Sequence, residues 1–311
     1  MIVVNNLVKK FDNRGIAGIH DLSFEVKSGE IMSIMGPNGS GKSTLLNILR
    51  GTLKQDSGSF LIDGAPAFFP ENDELSSGNV LKFLIKSVTI DVDEEKKIQL
   101  ARDLADTFEF TFQLRQNLSD LSSGQRQKVL LSKELINRPA LLLMDEPFAH
   151  LDPFTRKDIL KGLFQYIKDQ QITVVWVTHD LEEAFRFSDK IALMNFGKFE
   201  QHATPFEMVT SPRNLFVSKF MGYRNFYPMS FWNSATNDTI LVIPDHAWEE
   251  TPEGIEYTIK SCHPGIQKIE YTMEQGERTL HLARGPKSPV LELGARIKLL
   301  PLWKECFQIP L

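Results

Sequence analysis

The sequence predicts an α/β domain built on a largely parallel sheet, followed by a small all-β unit. Three observations carry this expectation. Continuous apolar runs that suit strands buried on both faces alternate with helical segments as far as Phe220. A glycine-rich turn joins a buried strand to a helix at residues 36–44. Beyond Met221 the pattern changes to short runs rich in Ile, Val, Tyr and Thr, broken by Pro and Gly.

The elements follow in order. Ile2–Phe11 and Leu22–Val26 alternate apolar and polar residues, as half-buried strands do. Glu30–Met35 is an apolar strand running into the glycine-rich turn, and Ser43–Arg50 continues as a helix. From about Gly78 to Leu118 the chain is expected to be helical, because KKIQLARDLADTF spaces apolar residues three and four apart without Pro. Leu141–Met144 and Ile172–Val177 are continuous apolar strands, with a helix of roughly Pro153–Asp169 between them. The segment PRNLFVSKFMG is helical. TILVIP, IEYTIKS, TLHLARGP and ARIKLLPL then suit strands of a separate folded unit, with the boundary expected near Gly222–Phe226.

Composition bounds the function classes. The 311 residues carry 35 Lys and Arg against 40 Asp and Glu, a net charge of −5, which disfavours tight non-specific nucleic-acid binding. No apolar run approaches the roughly 18–20 residues that span a bilayer. The N-terminal MIVVNNLVKKF lacks the charged, apolar and small-residue order of a signal peptide. Cys262 and Cys306 make neither a disulfide framework nor a metal cluster, so a reducing compartment is expected.

Gly36-Pro37-Asn38-Gly39-Ser40-Gly41-Lys42-Ser43-Thr44 matches G-x-x-x-x-G-K-[ST], a P-loop. It stands where the chemistry requires, after a strand and before a helix. Its glycines let backbone N–H groups surround phosphate oxygens, and the helix N-terminus adds its positive dipole end. Lys42 is expected to reach the β- and γ-phosphates of a nucleoside triphosphate and the Ser43 hydroxyl to ligate Mg2+. The strand Ala140–Met144 ends in Asp145 and Glu146. Asp145 is expected to hold Mg2+, directly or through water, and Glu146 to polarise the water that attacks the γ-phosphate.

Leu121-Ser122-Ser123-Gly124-Gln125 closely resembles the LSGGQ signature of ABC-type ATPases, with Ser123 in place of the first glycine. Other marks of that family occur in order. Phe11 stands where the family places an adenine-stacking aromatic, Ala149-His-Leu-Asp152 resembles the D-loop, and His179 in Thr178-His179-Asp180 resembles the switch histidine. The resemblance covers residues 1 to about 220, and the ATPase domain is expected over 1–222. It implies an ABC ATPase domain with a helical subdomain over about residues 72–125. It also implies that His179 senses the γ-phosphate and that Ser122–Gln125 and Asp152 serve a nucleotide bound by a second subunit. One P-loop and one signature in one chain then imply a head-to-tail dimer, the second copy being this chain or a relative. The family usually carries a glutamine after the ascending strand. Here Phe69-Pro-Glu71-Asn72 puts Glu71 in that slot, with Asn72 the alternative. A glutamate there can ligate Mg2+ but sets a negative charge beside a triphosphate, which is expected to weaken ATP binding or slow hydrolysis.

Gly197–Pro205, Ser211–Gly222 and Asn225 resemble the joining stretch of importers of the maltose, polyamine, sulfate and iron(III) kind. Residues 223–311 resemble their TOBE-like domain, serving dimerisation or ligand sensing. The resemblance implies an ATPase subunit of an importer, peripheral to the cytoplasmic face of the cell membrane. Its expected partners are a second ATPase subunit, transmembrane permease subunits and an external substrate-binding protein, with no nucleic acid. An exporter subunit fits the joining stretch less well. A soluble ABC ATPase acting on ribosomes would usually carry two such units, and one acting on DNA would carry long coiled coils; this chain has neither. A non-hydrolysing regulatory scaffold would not need Lys42, Asp145, Glu146 and His179 together. Phe108, Phe110 and Phe112 are expected in the core or beside the groove that takes a permease helix in this family.

Overall fold

Strands with two buried faces form the centre of the first of two units. The computed structural model describes residues 1–11, 16–70, 77–228, 239–265 and 267–310, without the side chains of residues 16, 17 and 310. The chain divides into two units, Met1–Pro205 and Phe206–Leu311.

In the first unit the elements are β1 (Ile2–Phe11), β2 (Ile16–Val26), β3 (Ile31–Met35), α1 (Lys42–Leu49), β4 (Ser57–Ile62) and β5 (Ala67–Phe69). Next come α2 (Val80–Ser87), α3 (Glu94–Thr107), α4 (Ser123–Leu135), β6 (Leu141–Asp145) and α5 (Pro153–Asp169). The unit closes with β7 (Thr173–Val177), α6 (Leu181–Phe187), β8 (Lys190–Asn195) and β9 (Lys198–Ala203). A six-stranded sheet runs β5-β6-β7-β3-β8-β9, parallel except where β9 returns antiparallel to β8. Successive side chains of a strand point to opposite faces, and the packing follows that rule. Leu141, Leu143, Val175 and Val177 join α1 and the antiparallel sheet β2-β1-β4 in one core. Leu142, Met144, Val174 and Trp176 join the helices α2–α5 in the other. Uninterrupted apolar runs are what a sheet covered on both faces needs.

Register decides what this sheet presents at its carboxyl edge. Val177 lies opposite both Ile34 and Asp145, so β3, β6 and β7 end at one level. The glycine-rich turn, Glu146 and His179 therefore leave three neighbouring strands side by side.

The region expected to be helical from about 78 to 118 is interrupted. Asn79 and Asp93 each cap a new helix by accepting a backbone N–H three residues on, which divides α2 from α3. After Thr107 the chain turns at Glu109, whose φ of 57° ends the helix, and two 3₁₀ turns follow at Thr111–Arg115 and Leu118–Asp120. Phe108 and Phe110 are buried in the helical core, whereas Phe112 is 89% exposed.

The second unit opens with two short helices, α7 (Pro205–Thr210) and α8 (Leu215–Phe220). The strands are β10 (Asn225–Pro228), β11 (Thr239–Ile243), β12 (Trp248–Pro264), β13 (Ile269–Gln275), β14 (Arg278–Arg284), β15 (Arg296–Pro301) and β16 (Phe307–Pro310). They make two antiparallel sheets, β10-β11-β16 and β14-β13-β12-β15. The division between the units falls earlier in the chain than the composition change near residue 222. Leu215 and Tyr223 pack against Ile240, Val242 and Ile309, which draws α8 into the second unit.

Candidate nucleotide site

The P-loop leaves β3 at Gly36 and wraps into the first turn of α1. Its shape depends on backbone conformations that need glycine at two points. Gly36 has φ 145° and lies against the Met194 carbonyl; Gly41 has φ 107° and lies against the Gly18 carbonyl. A Cβ at either position would collide with backbone. Gly197 N–H donates to the Ser40 carbonyl at 2.8 Å, so the β8–β9 turn braces the loop from outside. The Ser40 hydroxyl is buried and finds no partner among the described residues.

Lys42 is 6% exposed. Its ammonium donates to the Gly36 and Pro37 carbonyls at 2.9 and 3.0 Å. Burial holds its pKa below the usual lysine range, while the Glu146 and Asp145 carboxylates pull it upward. The two acids predicted at the end of β6 thus lie close enough to the P-loop lysine to act on its charge.

One open cleft of about 390 Å³ brings eight of the predicted residues together. Phe11, Asn38, Gly39, Gly41, Lys42, Ser43, Thr44 and Glu146 line it, together with Gly18. Phe11 is 41% exposed and its ring packs on Gly18, so the space a side chain would take at position 18 belongs to the aromatic. Gly36, Pro37 and Ser40 belong to the same turn.

Glu146 follows β6 with φ 45°, a left-handed conformation uncommon outside glycine. The Glu146 N–H donates to the Val177 carbonyl at 3.2 Å, continuing the sheet by one bond and fixing the bend. Its Oε1 lies 2.5 Å from His179 Nε2. A carboxylate that lines this cleft and is paired with an imidazole can accept and hold a proton from a water positioned there.

The signature residues lie elsewhere. Ser122 caps α4 by accepting the Gln125 N–H at 3.3 Å, and the Gln125 side chain accepts the Ser122 N–H at 3.0 Å. That is a reciprocal capping box, which explains Gln125 structurally. Ser123 opens the helix, and Gly124 is packed so closely on α5 that a Cβ would stand 2.6 Å from Thr155 Cγ2. Asp152 caps α5, accepting from the Phe154 and Thr155 N–H groups at 3.1 and 3.0 Å. Hydrogen bonds from Thr155 and Phe154 hold its carboxyl below the ordinary carboxylate range. Neither Ser122–Gln125 nor Asp152 is among the described residues lining the P-loop cleft. Glu71 and Asn72 lie outside the described residues.

Sequence reasoning missed three supports. Gly18 makes room for Phe11 and for Gly41. The Gln127 amide lies 2.9 Å from His150 Nε2, tying α4 to the turn before α5. Arg156 grips Glu183 in α6. Of these residues only His150 lies in a short motif, the Ala149–Asp152 stretch; the only sequence signal for Arg156 and Glu183 is their place one turn inside helices opened by Asp152 and Asp180.

A parallel sheet whose central strand feeds a glycine-rich turn, with acids leaving a strand beside it, defines the P-loop nucleoside-triphosphatase class. Comparison with known proteins narrows the class. The ABC transporter family profile matches residues 19–149. The sulfate/thiosulfate import ATP-binding protein CysA of Thermosynechococcus vestitus is 31% identical, over 91% of this chain and 90% of its own length. The CysA 2 protein of Shewanella oneidensis is 32% identical, over 82% of this chain and 77% of its own. The spermidine/putrescine import ATP-binding protein PotA of Trichormus variabilis is 33% identical, over 94% and 81%. Among solved structures, an ATP-binding cassette seen as a post-hydrolysis dimer with ADP and Pi superposes with a TM-score of 0.56 at 26% identity. That match covers 66% of this chain and 99% of the cassette. The chain belongs to the ABC transporter family of ATP-binding proteins, which hydrolyse ATP.

Proposed function

We propose that this chain is the ATP-hydrolysing subunit of an ABC importer, working as a head-to-tail pair on the cytoplasmic face of the cell membrane. The observation that carries the reading is one cleft lined by Phe11, Lys42, Ser43, Thr44 and Glu146, with His179 bound to Glu146. The import ATP-binding relatives, aligned over most of their length, support the importer assignment.

In this reading Phe11 stacks on adenine. The backbone N–H groups of Gly39–Thr44 surround the phosphates at the N-terminus of α1, and Lys42 turns from the loop carbonyls toward the β- and γ-phosphate oxygens. The Ser43 hydroxyl and the Asp145 carboxylate are hard oxygen donors, the kind that hold Mg2+ alongside phosphates. The bound ion would neutralise charge on the phosphoryl oxygens. Glu146 accepts a proton from the attacking water, and His179 orients Glu146 and contacts the γ-phosphate. Ser122–Gln125 and Asp152 serve the nucleotide of the partner subunit. Residues 1–222 act as the ATPase domain, with its helical subdomain over about residues 72–125, and residues 223–311 as a TOBE-like module. Separate permease subunits and an external binding protein supply the membrane path and the substrate.

Glu146→Gln should bind ATP with little change while turnover falls about a thousandfold or more. Normal turnover would remove Glu146 from the catalytic role. Pull-down from membranes should recover a hydrophobic permease; recovery with ribosomes alone would refute the transport assignment. Glu71→Gln removes a negative charge expected beside the triphosphate and should raise the ATPase rate. An unchanged rate and Mg2+ dependence would show that Glu71 does not occupy the glutamine slot.

A further inference from the structure

The N-terminal turn of α5 carries two kinds of attachment. Toward α4 it meets Gly124 through Thr155, and His150, two residues before the Asp152 cap, meets Gln127. Toward α6 it sends Arg156. The guanidinium meets Glu183 at two points, Nε to Oε1 at 2.5 Å and Nη2 to Oε2 at 2.6 Å. Both side chains are largely withdrawn from solvent; the Nη2–Oε2 contact is a charge-assisted hydrogen bond, strong and directional, while Nε lies close to Oε1 without hydrogen-bond geometry.

Glu183 does more than balance Arg156. Its Oε2 also accepts the Thr178 hydroxyl at 3.1 Å, and Thr178 Oγ1 accepts the Asp180 N–H at 3.1 Å. Asp180 in turn caps α6 by accepting the Glu183 N–H at 3.2 Å. The residues on both sides of His179 are therefore fixed to Glu183. Glu146, Arg156, Thr178, His179 and Glu183 face a single cavity of about 70 Å³. Nothing in the hydrolytic step requires Arg156 or Glu183 to touch nucleotide.

We propose that Arg156 and Glu183 are positioning residues that tie His179 to the Asp152 turn, so that docking of a second subunit on Asp152 and Ser122 adjusts the His179–Glu146 contact the single chain already makes. The proposal rests on the reading of Glu146 and His179 as the hydrolytic pair and of Ser122 and Asp152 as partner-facing. It adds a route by which engagement of one nucleotide site governs the chemistry of the other. Displacing the α5 terminus moves Arg156, Arg156 moves Glu183, and Glu183 carries the loop that holds His179. A directional charge-assisted hydrogen bond between groups largely withdrawn from solvent transmits such a shift better than a solvated point charge does.

The test uses the full-length chain and steady-state ATPase kinetics. In Glu183→Gln the amide keeps the shape but presents an N–H₂ where an oxygen accepted. Turnover should fall about ten- to hundredfold while the KM for ATP stays within about twofold. The Hill coefficient for ATP should fall toward one. Arg156→Lys, which keeps the charge but loses the fork, should fall between parent and Glu183→Gln. Combining Arg156→Gln with Glu183→Gln should cost no more than either change alone, because one contact is lost once. Melting temperatures close to the parent's establish that the fold is intact. Should Glu183→Gln melt early, Arg156→Lys carries the same comparison. Parental turnover in these variants, while Glu146→Gln remains inactive, would overturn the positioning role alone. A matching rise in KM would overturn it too, since that marks a general loss of the site. Normal turnover in Glu146→Gln would instead remove the hydrolytic reading beneath it.

Discussion

Lys42 is held by two carbonyls of its own loop in a buried position, with its charge opposed by burial and favoured by Glu146 and Asp145. A lysine so placed is a cation waiting on hydrogen bonds that phosphate oxygens satisfy better than carbonyls, because those bonds are charge-assisted on both sides. Lys42→Ala should therefore weaken ATP binding itself, by about tenfold or more, as read by titration with a fluorescent nucleotide analogue. Unchanged affinity would show that the ammonium serves the loop rather than the ligand. In the proposed function the contrast with Glu146 separates two kinds of residue in one cleft: one would act on binding, the other on turnover. Their shared place in the cleft was legible in the sequence, because the P-loop has fixed spacing and the paired acids end an apolar strand. Gly18 was not, because a glycine that yields space to Phe11 leaves no periodic trace.

Helix ends position the rest. α4, α5 and α6 each begin at a side chain that accepts backbone N–H groups: Ser122, Asp152 and Asp180. In α5 the Pro153 that follows the cap has no N–H to satisfy and suits the first helical position. The Asp152 carboxyl is held below its ordinary pKa, so its ionised form favours the folded state. This contribution is present above about pH 4, the unfolded value, and is lost as pH falls through the lower folded value. Replacing Asp152 by Ala should thus reduce stability at neutral pH and leave a smaller difference from the parent in strong acid, measured by denaturant unfolding monitored by circular dichroism. An equal difference at both pH values would refute the capping contribution. The long helices and the buried strands were legible from periodicity and length. The interruption after Thr107 was not. KKIQLARDLADTFEFTF carries helical spacing past the point where Glu109 turns left-handed, and that bend is set by burying Phe108 and Phe110 rather than by any breaker residue.

For the whole molecule the decisive fact is separation within one unit. The signature turn is built on helix caps, and the P-loop cleft is lined without it. Two copies in head-to-tail arrangement would bring one chain's Ser122 to the other chain's Lys42. Lys42→Ala and Gly124→Asp should each be inactive alone, yet an equimolar mixture should regain ATPase activity, since mixed pairs contain one intact composite site. A mixture no more active than its components would exclude the composite arrangement. The α/β core and the β-rich second unit were foreseen from the change of pattern near Met221. The division at Pro205 was not, because α7 and α8 are helical in a unit otherwise of strands and only packing on Ile240, Val242 and Ile309 reveals α8's affiliation.

The strand order has a consequence for how the chain acquires its structure. β3, which carries the P-loop, pairs with no strand near it in sequence: Ile31 meets Val174, and Met32 meets Lys190. The β1–β2 pair and the helices can form locally as the chain emerges during synthesis, since they close short loops. The P-loop strand cannot, and it waits without lateral partners until residues 173–195 have left the ribosome. Assembly of the phosphate cradle and arrival of His179 and Glu146 beside it are thus one late, long-range event. A nascent chain passes through most of its length with its nucleotide motif translated and its hydrolytic machinery not yet formed.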